Sequence, residues 1–163
     1  TFEQWKIGDH IAHDLSRTVT EADNLLITTL THNTQPLHLD AQYAAGTEFG
    51  RIVVNGLFTF ALMVGLSVGD TTLGTLVANL GYDKLVMPKP VFIGDTIYTI
   101  RENLSKEVHN DKMGKLRVSY SVYKGEGELV LYAEHLLTAL YRDPARFADE
   151  ARAKMAAKAA AKG

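Results

Sequence analysis

Two polar clusters in the first half of the chain carry groups that could move a proton and stabilise negative charge. The first is Asn33–Asp40, which contains His38. Imidazole can accept or give up a proton near neutral pH. The second is Asn55-Gly56, before an apolar run that predicts a helix, whose unpaired N–H groups could hold an oxyanion. On the residues alone, turn and cap roles are favoured for the first cluster, and a packing role for Gly56 remains equally open for the second.

The first cluster lies between two predicted helices. A capping-box pattern at Thr20 predicts a helix over residues 21–30. A polar loop follows, because Pro36 disfavours helical geometry at the residue before it. Asp40 is a predicted N-cap for a short helix over residues 41–45.

The second cluster opens the longest apolar segment. Residues 57–68 are apolar on all sides, which is typical of a buried helix. Antiparallel strands are predicted afterwards at 75–86, 91–104, 115–124 and 128–141, and a weaker strand pattern spans 10–19. This order predicts an α+β protein with a single hot-dog fold, an antiparallel sheet curled around a long buried central helix.

Composition limits the classes of function. The 163 residues suit one domain, and a net charge of −2 argues against a nucleic-acid or anionic-membrane partner. The chain has no cysteine, which excludes disulfides, thiolate metal sites and a cysteine nucleophile. We expect no membrane span and a cytoplasmic location. The chain starts at Thr1 without Met or a secretory signal, so we expect a trimmed or incomplete end.

Three motifs resemble one known family. Thr31–Ala44 reads Thr-His-Asn-Thr-Gln-Pro-Leu-His-Leu-Asp-Ala-Gln-Tyr-Ala and is similar to the signature loop of MaoC-like dehydratases, which include R-specific enoyl-CoA hydratases. Thr47–Gly56 resembles the family segment that ends in Val-His-Gly. Pro90–Thr96 resembles the family's Pro-Val-x-x-Gly-Asp-Thr. The motifs follow the family order, and the resemblance covers about residues 5–141.

The resemblance implies a hydro-lyase that reversibly adds water to a 2-enoyl-CoA thioester. His38 would transfer protons, and the Gly56 N–H would bind the thioester oxygen. The expected organisation is a hydratase domain over residues 1–142 with an Ala/Lys-rich helical tail over 143–163. The family implies no metal and no cofactor other than the coenzyme A of the substrate. It also implies a homodimer or higher homo-oligomer.

The chain departs from the family pattern at three positions. Asn33 replaces the catalytic Asp, Gln35 replaces an Asn, and Asn55 replaces the His before the glycine. An amide cannot act as a carboxylate base. Either His38 performs the proton transfers while Asn33 orients water or substrate, or hydratase activity is lost. The variant resembles the mesaconyl-, itaconyl- and methylmalyl-CoA hydratase branch, which favours a working site with Asn33, Gln35 and Asn55 as site residues.

A branched dicarboxylyl substrate would need a cation for its distal carboxylate. Arg51 is the first candidate and Arg17 a weaker one, although a surface ion pair or a CoA phosphate contact fits either equally well. Two alternative functions remain. A hot-dog thioesterase commonly has a carboxylate on or facing the central helix, and residues 57–68 contain none. The other alternative is a non-catalytic acyl-CoA-binding subunit.

Overall fold

The second half of the chain forms most of a six-stranded antiparallel sheet. In the computed structural model, which describes residues 1–161, the strand order is β1-β4-β5-β6-β3, and β2 also pairs with β4. The strands are β1 (His10–Ala12), β2 (Arg17–Thr18), β3 (Leu76–Val86), β4 (Thr96–Val108), β5 (Met113–Lys124) and β6 (Glu128–Leu140). The helices are α1 (Glu21–Leu30), α2 (Ala41–Ala45), α3 (Gly56–Ser67) and α4 (Ala148–Ala160).

The predicted strands are present with two changes. The strand expected over 91–104 begins only at Thr96, because Gly94 adopts a φ of 93° and Asp95 Oδ2 accepts a hydrogen bond from the Phe92 N–H at 2.9 Å. The weak pattern over 10–19 forms two separate short strands, both paired with β4. In both places an irregular segment interrupts the predicted strand.

The first two helices begin at the predicted caps. The Thr20 hydroxyl accepts a hydrogen bond from the Asp23 N–H, and the Asp23 side chain reaches back to the Thr20 N–H. Asp40 caps α2. The inner face of α1 is polar, since Asn24 and Thr28 are buried while Leu30 is 70% exposed. Leu25 and Leu26 are exposed as well, so the polarity of α1 is opposite to that of an ordinary surface helix.

Helix α3 packs on the sheet but is not covered on all sides. Met63 and Thr59 are buried in the core, whereas Leu57 is 52% exposed and Val68 is also exposed. The predicted central helix therefore lies against the sheet, and its outer apolar side is open in the single chain. A single π-helical turn, Val68–Thr72, follows the helix.

The C-terminal segment folds back on the sheet. A 3-10 turn over Pro144–Phe147 leads into α4, where Ala151 is fully buried. The Phe147 ring stacks on Tyr141 at a centroid distance of 4.5 Å. Residues 162–163 of the predicted tail lie outside the described part. Within that part, no helix has the length and apolar character needed to cross a membrane.

Candidate active site

A cavity of about 320 Å³ lies at the start of α3. It brings together His38 and Gly56, which come from the two predicted clusters. Its walls are mostly apolar. The lining residues are His38, Phe49, Val53, Val54, Gly56, Thr59, Met87, Pro88, Lys89, Pro90, Val91 and Val130.

The His38 ring is held in one orientation by the main chain. His38 ends a 3-10 turn, Pro36–His38, and its Nδ1 lies 2.7 Å from the Val53 carbonyl oxygen. A carbonyl can only accept, so Nδ1 carries the hydrogen and donates it. In the neutral imidazole, Nε2 is then an acceptor with a free lone pair. This tautomer is the one that a general base requires.

Gly56 supplies a free main-chain donor at the first position of α3. The Asn55 side chain caps the helix by accepting from the Leu57 N–H at 3.1 Å. Within residues 1–161, the Gly56 N–H has no hydrogen-bond partner. A Cβ at this position would lie 2.5 Å from the Met87 sulfur. The absence of a side chain therefore lets another group approach the backbone here.

The loop between β3 and β4 is fixed against this cavity. The Val54 N–H donates to the Val91 carbonyl at 2.8 Å, and Val53 forms an isolated bridge with Phe92. The Lys124 ammonium donates to the Pro90 carbonyl at 2.8 Å. These bonds hold one wall of the cavity next to the residues that precede Gly56.

Lys89 lines the cavity and was not predicted from the sequence. It is the cation of the cavity lining, and it is exposed between Pro88 and Pro90. Proline fixes its own φ and restricts the preceding residue to extended geometry, so the Lys89 backbone is constrained. A basic residue between two prolines, directly before the Pro-Val motif, was the available signal.

The three amide residues predicted for the site do not line the cavity. Asn33 is half-buried, and its Oδ1 accepts from the Gln35 N–H at 3.1 Å, which stabilises the loop. Gln35 is exposed. Asn55 is 2% exposed and caps α3.

Neither candidate arginine lies in the cavity lining. The Arg51 guanidinium stacks over the Phe92 ring at 3.8 Å. Arg17 forms a surface ion pair with Asp23 at 2.6 Å. Arg17 therefore forms a surface ion pair, which was its alternative role in the sequence analysis.

Asn24 is a second residue that the sequence analysis missed. Its carboxamide lies between the two clusters, donating to the His38 carbonyl at 2.8 Å and accepting from the Asn55 N–H at 2.9 Å. Its position on the inward face of α1, where a core helix would place Leu, was the available signal.

The interior also contains titratable groups away from the cavity. His135 is 3% exposed, and neither ring nitrogen has a hydrogen-bond partner among the described residues. It stacks on Tyr82 at 4.2 Å. Burial, with a smaller contribution from the Arg101 charge, lowers the pKa of His135 to about 4. His135 is therefore neutral in the folded protein at pH 7.

The carboxylate nearest the end of α3 belongs to a different region. Asp70 pairs with His13 at 2.8 Å and lines a separate cavity of about 170 Å³. Among the described residues that line the cavity at His38, there is no carboxylate. Within residues 1–161, no three His, Cys, Asp or Glu side chains are grouped to hold a metal ion.

Comparison with known proteins identifies the family. The family model described as MaoC like domain matches residues 2–125. The chain is 33% identical to mesaconyl-CoA hydratase of Cereibacter sphaeroides over 80% of its own length, but it spans only 38% of that relative.

Solved structures show the same fold. A MaoC domain protein dehydratase from Chloroflexus aurantiacus matches 88% of this chain and 41% of its own, with 28% identity and a TM-score of 0.83. The unliganded R-hydratase PhaJ1 from Pseudomonas aeruginosa matches 85% of this chain and 84% of its own, with 26% identity and a TM-score of 0.72. The sheet and central helix form the predicted hot-dog fold, and the chain belongs to the family of MaoC-like domains.

Proposed function

We propose that this chain is a hydratase domain that reversibly adds water across the α,β double bond of a 2-enoyl-CoA thioester. One observation carries the proposal: a histidine with a free Nε2 lone pair and an unpaired main-chain N–H at Gly56 line the same cavity. Hydration needs a base for water and a donor for the thioester oxygen, and these two groups supply them.

The reaction can proceed with one histidine. His38 Nε2 takes a proton from water while the water oxygen bonds to the β-carbon. The electron pair of the double bond moves toward the thioester, whose oxygen gains negative charge beside the Gly56 N–H. The His38 imidazolium is stabilised by the Val53 carbonyl and then gives its proton to the α-carbon. The proton taken from water is returned to the product.

This sequence of steps does not need a carboxylate at position 33. Asn33 contributes to the loop that carries His38, since its side chain fixes the Gln35 N–H. The substitution of Asp by Asn is therefore compatible with a working site in which His38 is both base and acid. Gln35, which is exposed, can still contact the part of the substrate outside the cavity.

The cavity lining combines an apolar wall with one cation. Valine, phenylalanine, proline and methionine side chains form most of its wall. Lys89 rather than Arg51 is the cation available to a carboxylate or phosphate of the substrate, because Lys89 belongs to the lining. A branched dicarboxylyl thioester, as in the name of the Cereibacter relative, is one such substrate.

The active form is proposed to be a homodimer that pairs through β3. This strand is an edge of the sheet, and its exposed side chains include Val77, Leu80 and Val86. A second copy paired along β3 would cover these residues and satisfy the unpaired edge. It would also lie near the open side of α3, where Leu57 is exposed.

The decisive experiment follows the absorbance of the conjugated enoyl thioester after adding the protein to crotonyl-CoA or mesaconyl-CoA. We expect the absorbance to fall as a product 18 Da heavier than the substrate forms. No change with a panel of enoyl-CoA thioesters would reject the proposal. Release of free CoA thiol would identify a thioesterase instead, and binding without turnover would identify an acyl-CoA-binding subunit.

The same assay tests the expectation that the reaction needs no metal or added cofactor. Full turnover after exhaustive dialysis against a chelator would support a reaction without a metal or added cofactor. A cytoplasmic location remains a prediction based on the absence of cysteine.

A further inference from the structure

We infer that Asn24 is a positioning residue that sets the spacing between the His38 imidazole and the Gly56 N–H. This inference rests on the proposed function, because it assigns those two groups to one reaction. Asn24 lies outside the cavity lining and acts only through the backbone.

The geometry that supports this role is a single side chain shared by two segments. The Asn24 Nδ2 donates to the carbonyl oxygen of His38 itself, at 2.8 Å. Its Oδ1 accepts from the N–H of Asn55, the residue directly before Gly56, at 2.9 Å. One rigid carboxamide therefore connects the proton-transfer residue to the start of the helix that carries the oxyanion donor.

The carboxamide that connects the two segments is buried. Asn24 is 3% exposed and its bond to the Asn55 N–H is buried, so water has little access to this carboxamide. Loss of the side chain would leave a buried N–H at Asn55 and a partly buried carbonyl at His38 unsatisfied, and an unsatisfied buried group is costly. The two segments would then move to find other partners, which would change the distance between His38 and Gly56.

The bridge needs both a donor and an acceptor. An aspartate at position 24 can accept from the Asn55 N–H, but its other oxygen would face the His38 carbonyl oxygen. A leucine of similar volume can make neither bond. The two substitutions therefore separate loss of one bond from loss of both.

A second polar residue on the same face of α1 supports the bridge. Thr28, one turn after Asn24, is fully buried, and its hydroxyl accepts from the Asn55 Nδ2 at 3.4 Å. The Thr28 carbonyl also accepts from the Asn33 N–H at 3.0 Å. Polar residues on the buried face of α1 thus contact the loop of His38 and the cap of α3, which explains the reversed polarity of this helix.

The test compares Asn24→Asp and Asn24→Leu with a matched control, Asn103→Leu. Asn103 is also a buried asparagine, 5% exposed, that donates to the Lys6 carbonyl at 3.0 Å, away from the cavity at His38. For Asn24→Leu we expect kcat to fall by ~10²-fold, because small displacements of reacting groups are this costly. KM should change little, because Asn24 does not contact the substrate. Asn103→Leu should lower Tm while kcat is retained.

A readout independent of turnover is the side-chain ¹⁵N spectrum of His38. In the natural protein we expect the tautomer with the proton on Nδ1, fixed by the Val53 carbonyl. Asn24→Leu should shift or average this signal, and Asn103→Leu should not. Asn24→Asp keeps the bond to the Asn55 N–H but replaces the bond to the His38 carbonyl by a repulsion between two oxygens, so it should also lower kcat and shift the ¹⁵N signals. This second variant keeps the test valid if the leucine variant fails to fold.

Unchanged kcat and His38 resonances in both Asn24 variants would overturn the inference. An equal loss of kcat in Asn103→Leu would also overturn it, because the effect would then follow stability alone. If the natural protein hydrates no thioester, the proposed function fails, and the His38 spectra still decide whether Asn24 positions the ring.

Discussion

The Nδ1 of His38 donates a hydrogen bond of 2.7 Å to the main-chain carbonyl of Val53. Val53 lies three positions before Gly56, on the segment that leads into α3. The tautomer of the ring is therefore fixed by the same stretch of backbone that presents the oxyanion donor. This hydrogen bond links the loop of His38 to the segment that carries Gly56.

Removal of the imidazole should abolish most of the proposed activity. For His38→Ala and His38→Gln we expect kcat to fall by ~10²–10⁴-fold, the usual contribution of general acid–base catalysis. Steady-state hydration of crotonyl-CoA measures this loss, and calorimetric binding of a saturated acyl-CoA should remain within a few fold. Turnover that survives in both variants would show that another residue activates water.

A methyl group at position 56 should block the oxyanion donor without unfolding the protein. In Gly56→Ala the new Cβ would lie 2.5 Å from the Met87 sulfur, which is the end of a flexible, exposed side chain and can move. We expect a fall in kcat of ~10²-fold, similar to loss of an oxyanion-hole donor. The double variant Gly56→Ala/Met87→Ala should recover Tm but not kcat. Recovery of kcat would mean that only Met87 had blocked the site.

Neutralising Lys89 should weaken substrate binding more than catalysis. We expect Lys89→Gln to raise KM for CoA thioesters by ~10-fold, a typical loss for a charge-assisted contact, with kcat nearly unchanged. Lys112→Gln, in an exposed turn, is the control.

Two comparisons identify the anion that Lys89 binds. An enoyl thioester of N-acetylcysteamine lacks phosphates, so an effect confined to CoA thioesters indicates a phosphate contact. A larger effect for mesaconyl-CoA than for crotonyl-CoA indicates the distal carboxylate. Equal KM values for Lys89→Gln and the natural protein with all three substrates would contradict both assignments.

Buried His135 should make the protein less stable in mild acid. Its folded pKa of about 4 lies below the ordinary histidine pKa of 6.5, so between these pH values the unfolded chain binds a proton that the folded chain does not. The free energy of unfolding should therefore fall as pH decreases from 6.5 toward 4, by about 3 kcal/mol at the lower limit. Urea titrations at several pH values measure this slope. His135→Phe should reduce it, whereas His10→Gln, at an exposed position, should retain it.

A charge on the open edge of β3 should disrupt the proposed homodimer. Val77→Lys and Leu80→Lys place an ammonium among the exposed apolar side chains of that strand. Light scattering coupled to size exclusion should detect a change from dimer to monomer. Glu126→Lys, in the exposed turn between β5 and β6, should leave the mass unchanged. A natural protein that is monomeric at micromolar concentration would contradict the proposal.

The elements that were predicted correctly are those specified by local signals. The capping box at Thr20 and the cap at Asp40 fix where α1 and α2 begin. The alternation of apolar and polar residues predicts the positions of β5 and β6. The juxtaposition of His38 and Gly56 was predicted from motif order and not from periodicity, because it depends on contacts between segments far apart in the chain.

Other residues predicted for the site have structural contacts in the single chain. Asn55 has the residue type of a binding group, but it is used as the cap of α3. Arg51 has a suitable charge, but its guanidinium stacks on Phe92. The role of Lys89 depends on how the loop before β4 is held against the Val53–Gly56 segment, and no local pattern encodes that contact.

The way the chain connects its strands has a consequence for folding kinetics. β4, β5 and β6 are joined by short turns, so their pairing closes only small loops and should form early. The proposed site instead requires α1, the His38 loop and the start of α3 to meet through hydrogen bonds between distant residues. Substitutions at Asn24 should therefore accelerate unfolding and leave the refolding rate almost unchanged. Residues of the site can then be substituted without slowing the formation of the sheet.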